Sequence, residues 1–150
     1  MYKRILVAID GSATSLRGLN EAIHVAKDSG AKLLLVHVLN ALILESEVAS
    51  TAYYQALADA LRSTGWKILE HAATAVRDSG VPFDQKLIDK IGAHAAEEII
   101  AVAKDWQADL IVLGTHGRRG LKRLVMGSDA ELVLRRSPVP VLMVRDQPEN

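Results

Sequence analysis

The sequence predicts a single α/β domain, built as a doubly wound, open parallel sheet of five strands with helices on both faces. Short apolar runs alternate with segments of helical periodicity, which gives the element order β-α-β-α-β-α-β-α-β. Of the 150 residues, 49% are hydrophobic but only 4% are aromatic, so the core is aliphatic, as in a sheet buried on both faces. This length fits one domain, which we assign to residues 1–146, followed by a C-terminal tail at 147–150.

The first half contains two strand–helix units. Residues 5–9 form an apolar run that predicts a buried strand, and residues 10–12 follow as a turn and a helix N-cap. Apolar residues then recur at helical spacing up to residues 27–30, where a lysine and a glycine predict the end of the helix. Residues 33–36 predict a second buried strand, which ends near residue 38.

Residues 39–50 have no clear period and predict an irregular connection. A long helix follows, and Gly65 within it predicts a kink. The apolar face expected on this helix comprises Leu57, Leu61, Ile68, Ala72 and Val76.

The second half adds three further strands. Residues 81–88 alternate partly and carry a proline near their start, which is typical of an edge strand. Residues 94–104 predict a helix and residues 109–113 a third buried strand. The chain then continues with a helix over residues 128–136 and a last strand over residues 139–144.

Charge and composition disfavour several classes of protein. Eighteen basic residues balance eighteen acidic ones, which argues against a surface built for nucleic acid or anionic lipid. The chain has no cysteine, and its five histidines show no metal-ligand spacing. No apolar run approaches the roughly 20 residues that span a bilayer, and a strand-like run follows the first four residues in place of a signal segment. We therefore expect a cytoplasmic protein.

A glycine-rich segment between Gly114 and Ser128 carries the functional signal. It follows a buried strand and opens a helix, so we expect it at the carboxyl edge of the sheet, where open α/β sheets bind ligands. Its glycines let backbone N–H groups approach an anion, and the N-terminus of the following helix favours negative charge. Four cations lie in the same stretch: Arg118, Arg119, Lys122 and Arg123. These features together predict a phosphate-binding loop.

The spacing of these glycines is neither a Walker loop nor the dinucleotide fingerprint G-x-G-x-x-G. It is G-x-x-G, nine residues, then G-S, and it resembles the nucleotide-binding motif of the universal stress protein family. The resemblance covers essentially the whole chain. Residues 5–12 and 35–38 are similar to the first two strands of the family, and residues 108–114 and 137–142 to its last two.

The resemblance implies a Rossmann-like, adenine nucleotide alpha hydrolase-like fold with the strand order 3-2-1-4-5, in which Asp10 faces the glycine loop. ATP-binding members of the family hold adenine at positions that match Ala8, Asp10 and Val38. They hold ribose and phosphates at positions that match Gly114, Gly117, Gly127 and Ser128.

Four more residues of the same stretch complete the predicted cofactor-binding set: His116, Arg118, Arg119 and Asp129. The implied cofactor is ATP, accompanied by Mg²⁺ or Mn²⁺. The implied assembly is a homodimer that pairs through the strand between Val139 and Val144.

Several of these residues have simpler interpretations that the sequence leaves open. Ser128 and Glu131 have the spacing of a capping box, which needs no ligand. Asp10 also suits a cap of the first helix or turn, and the loop arginines suit a solvated surface. Asp129 stands where many ATP-binding relatives carry an apolar or hydroxyl residue. Its carboxylate interacts favourably with the helix dipole. The same charge repels a triphosphate unless a divalent cation or Arg118 intervenes.

Three hypotheses about function result. The leading one is a dimeric, ATP-binding regulatory or stress-response protein of universal stress type. The alternative is a dimeric scaffold that binds no nucleotide and acts through protein partners. The third is a slow ATPase that uses Asp10 through a bound metal. Because the sequence contains neither a nucleophile–base pair nor a Walker lysine, it favours binding over hydrolysis.

Overall fold

The structure is a computed structural model that describes residues 1–39, 51–90, 93–115 and 127–146. Its elements in chain order are β1 (Arg4–Ala8), α1 (Ala13–Ser29), β2 (Lys32–Val38), α2 (Thr51–Ser79), β3 (Phe83–Ile88), α3 (Ala95–Asp105), β4 (Leu110–Gly114), α4 (Ser128–Arg136) and β5 (Val141–Val144). The predicted connection over 39–50, apart from its first residue, and the predicted tail lie outside the described residues.

The five strands form one parallel sheet in the order β3-β2-β1-β4-β5, which confirms the predicted fold class and strand order. β1 lies at the centre and pairs with β2 on one side and β4 on the other. The carboxyl ends of β1 and β4 therefore flank the point at which the strand order reverses, where open α/β sheets bind ligands. β3 is an edge strand, as the proline before it predicts.

Two aliphatic clusters cover the two faces of the sheet. Ile5 and Val7 of β1 belong to a cluster with residues of α1 and α2, whereas Leu6 between them belongs to a cluster with residues of α3 and α4. All three are 0% exposed, because successive side chains point to opposite faces and helices cover both. This burial explains why the central strands are continuous apolar runs in the sequence.

The two ends of α1 confirm the predicted start and stop signals. Ser12 is the N-cap, and its Oγ accepts a hydrogen bond from the Ser15 N–H at 3.1 Å. Gly30 ends the helix in the left-handed conformation with a φ of 69°, and its N–H donates to the Ala26 carbonyl.

The buried face of α2 differs from the predicted one. Of the five apolar residues expected on it, Ala72 and Val76 are buried and the other three are half-buried. Gly65, Leu69 and Ala73 complete the buried set.

Gly65 serves the packing of α2, and the kink expected at this position stays a prediction. The helix extends from Thr51 to Ser79 through this position. A methyl group at Gly65 would lie 2.8 Å from Leu87 Cδ1 and 3.0 Å from His37 Cδ2. The missing side chain therefore lets α2 approach β2 and β3 closely.

Two glycines at the contact between α1 and β4 differ in the space around them. A methyl group at Gly114 would lie 2.8 Å from Thr14 Oγ1 and 2.9 Å from the Thr14 carbonyl carbon. At Gly18 of α1, the nearest atom would be Val112 Cγ1 at 3.6 Å, which is an ordinary contact. The end of β4 and the start of α1 thus approach each other at a distance that only glycine permits.

We expect Gly114→Ala to lower the free energy of unfolding by about 1–3 kcal/mol, because the added methyl group meets backbone atoms that cannot rotate away. Gly18→Ala is the matched control, and we expect it to be neutral or to stabilise by up to about 1 kcal/mol, since alanine favours a helix interior. Chemical unfolding measures both variants. A Gly114→Ala protein as stable as the wild-type protein would contradict this contact.

Candidate functional site

Asp10 follows β1 in a tight turn at the carboxyl edge of the sheet. Its Oδ1 accepts a hydrogen bond from the Ser12 N–H at 2.8 Å, and Gly11 between them has a φ of 83°, which favours glycine. Asp10 therefore shapes the turn before α1, as one of its two interpretations predicts. Its second carboxylate oxygen accepts no hydrogen bond from a described residue, so it is available to a ligand.

His37 holds the backbone that leads into this turn. The residue is buried near the end of β2, and its Nδ1 donates to the Ile9 carbonyl oxygen at 2.7 Å. The Ile9 N–H in turn donates to the Val36 carbonyl at 2.8 Å. β2 thus positions the backbone next to Asp10. The available sequence signal for this role is a histidine within an otherwise aliphatic strand.

Ala8 and Val38 form a small apolar surface beside the turn. Both are half-buried and pack at the margin of the cluster that α3 and α4 cover. Ala8 pairs with Val36 in the register of β1 and β2, and Val38 lies two residues further along β2, so both point to the same face of the sheet. A flat apolar group fits such a surface.

Thr115 joins the two ends of the glycine-rich segment. Its N–H donates to the Val144 carbonyl at 2.9 Å, and its carbonyl accepts the Gly127 N–H at 2.8 Å. The start of α4 is therefore bonded to the residue that follows β4. Thr115 is absent from the predicted site, because the partners of its backbone lie on other elements and leave no local pattern.

The predicted capping box at the start of α4 is wrong. Gly127 is the N-cap, so Ser128 is the first helical residue and Glu131 lies one position too far along the helix. The Glu131 N–H donates to the Gly127 carbonyl at 3.0 Å, and its carboxylate pairs with Arg135 at 2.6 Å. Ser128 and Asp129 are exposed, and no side chain among the described residues caps this helix.

A series of contacts links the Asp10 turn to the glycine-rich segment. Ser12 Oγ lies 3.2 Å from Thr14 Oγ1, and Thr14 packs against Gly114 at the end of β4. The predicted site residues at this edge of the sheet are Ala8, Asp10, Val38, Gly114, Gly127, Ser128 and Asp129. The other four, His116, Gly117, Arg118 and Arg119, lie outside the described residues.

This edge offers a ligand a carboxylate oxygen, hydroxyl groups and the backbone N–H groups of a helix start. Within residues 1–39, 51–90, 93–115 and 127–146, no group of three or more histidine or acidic side chains is placed to hold a metal ion. In the same part of the chain, no helix combines the length and the apolarity that a membrane crossing requires.

Comparison with known proteins identifies the family. The family profile described as "Universal stress protein family" matches residues 1–145. The chain belongs to the universal stress protein family. Universal stress protein YxiE of Bacillus subtilis is 34% identical to it over 151 residues, which cover 97% of this chain and 100% of that protein.

Solved structures share the fold of this universal stress protein. It resembles the hypothetical protein MJ0577 with a TM-score of 0.86 and 27% identity, and the match covers 99% of each chain. It also resembles a universal stress protein solved in complex with cAMP, with a TM-score of 0.69 and 28% identity over 95% of this chain and 97% of that chain. The Rossmann-like fold that the resemblance implies is thereby confirmed.

We expect Ser128→Ala to leave the free energy of unfolding within about 0.5 kcal/mol of that of the wild-type protein, because Ser128 is exposed and does not cap α4. Ser12→Ala is the matched change at a true N-cap, and we expect it to destabilise by about 1 kcal/mol. Urea unfolding compares the two variants. If Ser128→Ala lowers the free energy of unfolding as much as Ser12→Ala does, Ser128 caps α4 and this prediction is contradicted.

Proposed function

We propose that this universal stress protein binds an adenine nucleotide, with ATP as its ligand, and that it acts in the stress response through binding rather than efficient hydrolysis. The site is the carboxyl edge of the sheet between Asp10 and the start of α4. We place the protein in the cytoplasm, a reducing compartment that suits a chain without cysteine. The observation that carries the proposal is a glycine, Gly127, that neither its backbone angles nor its contacts with the described residues require.

Gly127 differs from Gly114 in this respect. Its φ of −59° and ψ of 149° are open to any residue, and a methyl group there would meet the Thr115 carbonyl oxygen at 3.5 Å, an ordinary contact. Serine or aspartate at this N-cap would stabilise α4 more than glycine does. A glycine does, however, admit a phosphate closest to the backbone N–H groups of a helix start. Gly127 therefore supports phosphate binding.

The other half of the site suits a base. Ala8 and Val38 offer an apolar surface, and the second oxygen of Asp10 offers an acceptor for an amino group such as that of adenine. The family resemblance predicts adenine at these same three residues. In addition, the relative that is 28% identical was solved in complex with cAMP, which is an adenine nucleotide.

The charge of the phosphates has to be balanced near Asp129. The proposed phosphate site comprises Gly114, His116, Gly117, Arg118, Arg119, Gly127 and Ser128. Asp129 is exposed in the first turn of α4, so its carboxylate opposes a triphosphate. A Mg²⁺ or Mn²⁺ ion that arrives with ATP would compensate for this charge.

We expect Gly127→Ala to bind ATP about tenfold more weakly than the wild-type protein, or by about 1.4 kcal/mol, because its methyl group occupies the space through which a phosphate reaches the helix start. Isothermal titration with ATP, with and without Mg²⁺, measures this loss. We expect Mg²⁺ to strengthen binding by both proteins, since it neutralises phosphate charge beside Asp129.

Thermal unfolding without nucleotide is the control for this variant. Gly127→Ala should melt at the wild-type temperature, because its methyl group makes only an ordinary contact. A wild-type protein that gives no heat with millimolar Mg-ATP, and that releases no nucleotide when it is denatured after purification, would overturn the proposal and favour the scaffold.

We also propose a homodimer that pairs through β5, within the predicted strand between Val139 and Val144. The two edges of the sheet differ in charge. β3 exposes Asp84 and Lys86, and charges of this kind oppose pairing with another strand. β5 contains no charged residue, and its first three residues are half-buried. An apolar edge strand needs cover, and a second copy of the chain supplies it.

We expect Met143→Lys to shift the protein from dimer to monomer, because a lysine on an edge strand opposes pairing. Sedimentation velocity at matched concentrations measures the mass of each protein. Tyr53→Lys is the control, since Tyr53 is exposed on α2 at the far side of the sheet, and we expect it to remain dimeric. A folded Met143→Lys protein that still sediments as a dimer would exclude pairing through β5.

A further inference from the structure

Thr115 carries a buried hydroxyl group that the described residues leave without a partner. The residue is 7% exposed, and its Oγ1 has no hydrogen-bond partner among the residues that the structure describes. Valine has nearly the same shape and would avoid the cost of burying an unpaired hydroxyl. Because buried polar groups are almost always paired, a threonine at this position indicates a partner beyond the described residues.

The neighbours of Thr115 along β4 show on which face this hydroxyl lies. Leu113 packs in the cluster that α3 and α4 cover, whereas Gly114 packs against Thr14 of α1 on the opposite face. Strand alternation therefore returns the Thr115 side chain to the face of α4. Its carbonyl is bonded to the Gly127 N–H, so the hydroxyl is buried beside the start of α4.

A ligand group at this place lies next to the N-terminus of α4. Gly127 provides no side-chain acceptor there, and the free N–H groups of a helix start favour a negatively charged group. A hydroxyl that donates to an anionic oxygen makes a strong, charge-assisted hydrogen bond. The surface proposed for the base extends from Ala8 of β1 to Val38 of β2, in the direction away from β4. The ligand group nearest to Thr115 is therefore a phosphate.

We propose that Thr115 is a binding residue whose Oγ1 donates a hydrogen bond to a phosphate oxygen of the nucleotide. This inference rests on the proposed function and extends it to a position that the glycine motif leaves open. The backbone of Thr115 is bonded to Val144 and Gly127, so the hydroxyl is held in place before the ligand arrives. Thr115 thus favours a phosphorylated ligand over the free nucleoside.

The test compares Thr115→Val, which removes the hydroxyl and keeps the shape, with Thr115→Ser, which keeps the hydroxyl. Isothermal titration uses AMP and adenosine, which differ only in the phosphate. We expect Thr115→Val to bind AMP about tenfold more weakly than the wild-type protein and adenosine within about twofold of it. We expect Thr115→Ser to bind AMP within about threefold of the wild-type affinity.

Thermal unfolding without ligand separates this role from a structural one. We expect Thr115→Val to melt at the wild-type temperature or above it, because the variant no longer buries an unpaired hydroxyl. A lower melting temperature, with equal losses of affinity for AMP and adenosine, would overturn the proposal, since the hydroxyl would then support the fold. Unchanged AMP binding by a folded Thr115→Val protein would overturn it as well.

Failure of the proposed function is a separate outcome. If the wild-type protein binds neither AMP nor ATP, titration with inorganic pyrophosphate follows. If the wild-type protein binds pyrophosphate and Thr115→Val weakens that binding, the phosphate contact of Thr115 stands and the proposal of an adenine nucleotide falls. An absence of pyrophosphate binding would overturn both.

Discussion

The close contact between the end of β4 and the first turn of α1 determines the geometry of the candidate site. Because Gly114 has no side chain, Thr14 packs against its backbone at a separation that a methyl group would not permit. The same turn of α1 is capped by Ser12 and preceded by Asp10. The contact therefore brings the acidic turn after β1 next to the start of the glycine-rich segment. Open α/β sheets bind ligands where the strand order reverses, and this contact decides which residues border that point.

The fold could be predicted from the sequence because its signals are local. Central strands buried on both faces are aliphatic runs, and each helix end needs a particular residue type at one position. The strand order came from the family resemblance, since pairing depends on residues that are distant in sequence. Local patterns failed at α4, where Ser128 and Glu131 have capping-box spacing but Gly127 takes the N-cap. The sequence does not indicate Thr115 as a site residue, because its backbone partners are distant in sequence. They are Val144 of β5 and Gly127, the N-cap of α4.

The described glycines show that one residue type meets several physical requirements. Gly114 is required by the packing of α1, and Gly65 by the close approach of α2 to the sheet. Gly127 has an ordinary backbone conformation, and among the described residues there is room for a methyl group beside it. The match to the glycine motif predicts that Gly114 and Gly127 both contact the ligand. Backbone angles and neighbour distances separate them: packing among the described residues accounts for Gly114 but not for Gly127.

The start of α4 is stabilised less completely than the start of α1. Ser12 caps α1, whereas no side chain of the described residues caps α4, and the buried Thr115 hydroxyl beside it has no partner among them. Asp129 supplies the negative charge that the dipole of α4 favours. In the free protein this carboxylate therefore does part of what a phosphate does in the proposed complex. Asp129 stabilises the start of α4 and would oppose an anionic ligand there. In the proposed complex, a cation that accompanies the nucleotide would pair with both charges, so we expect nucleotide binding to depend on the metal as well.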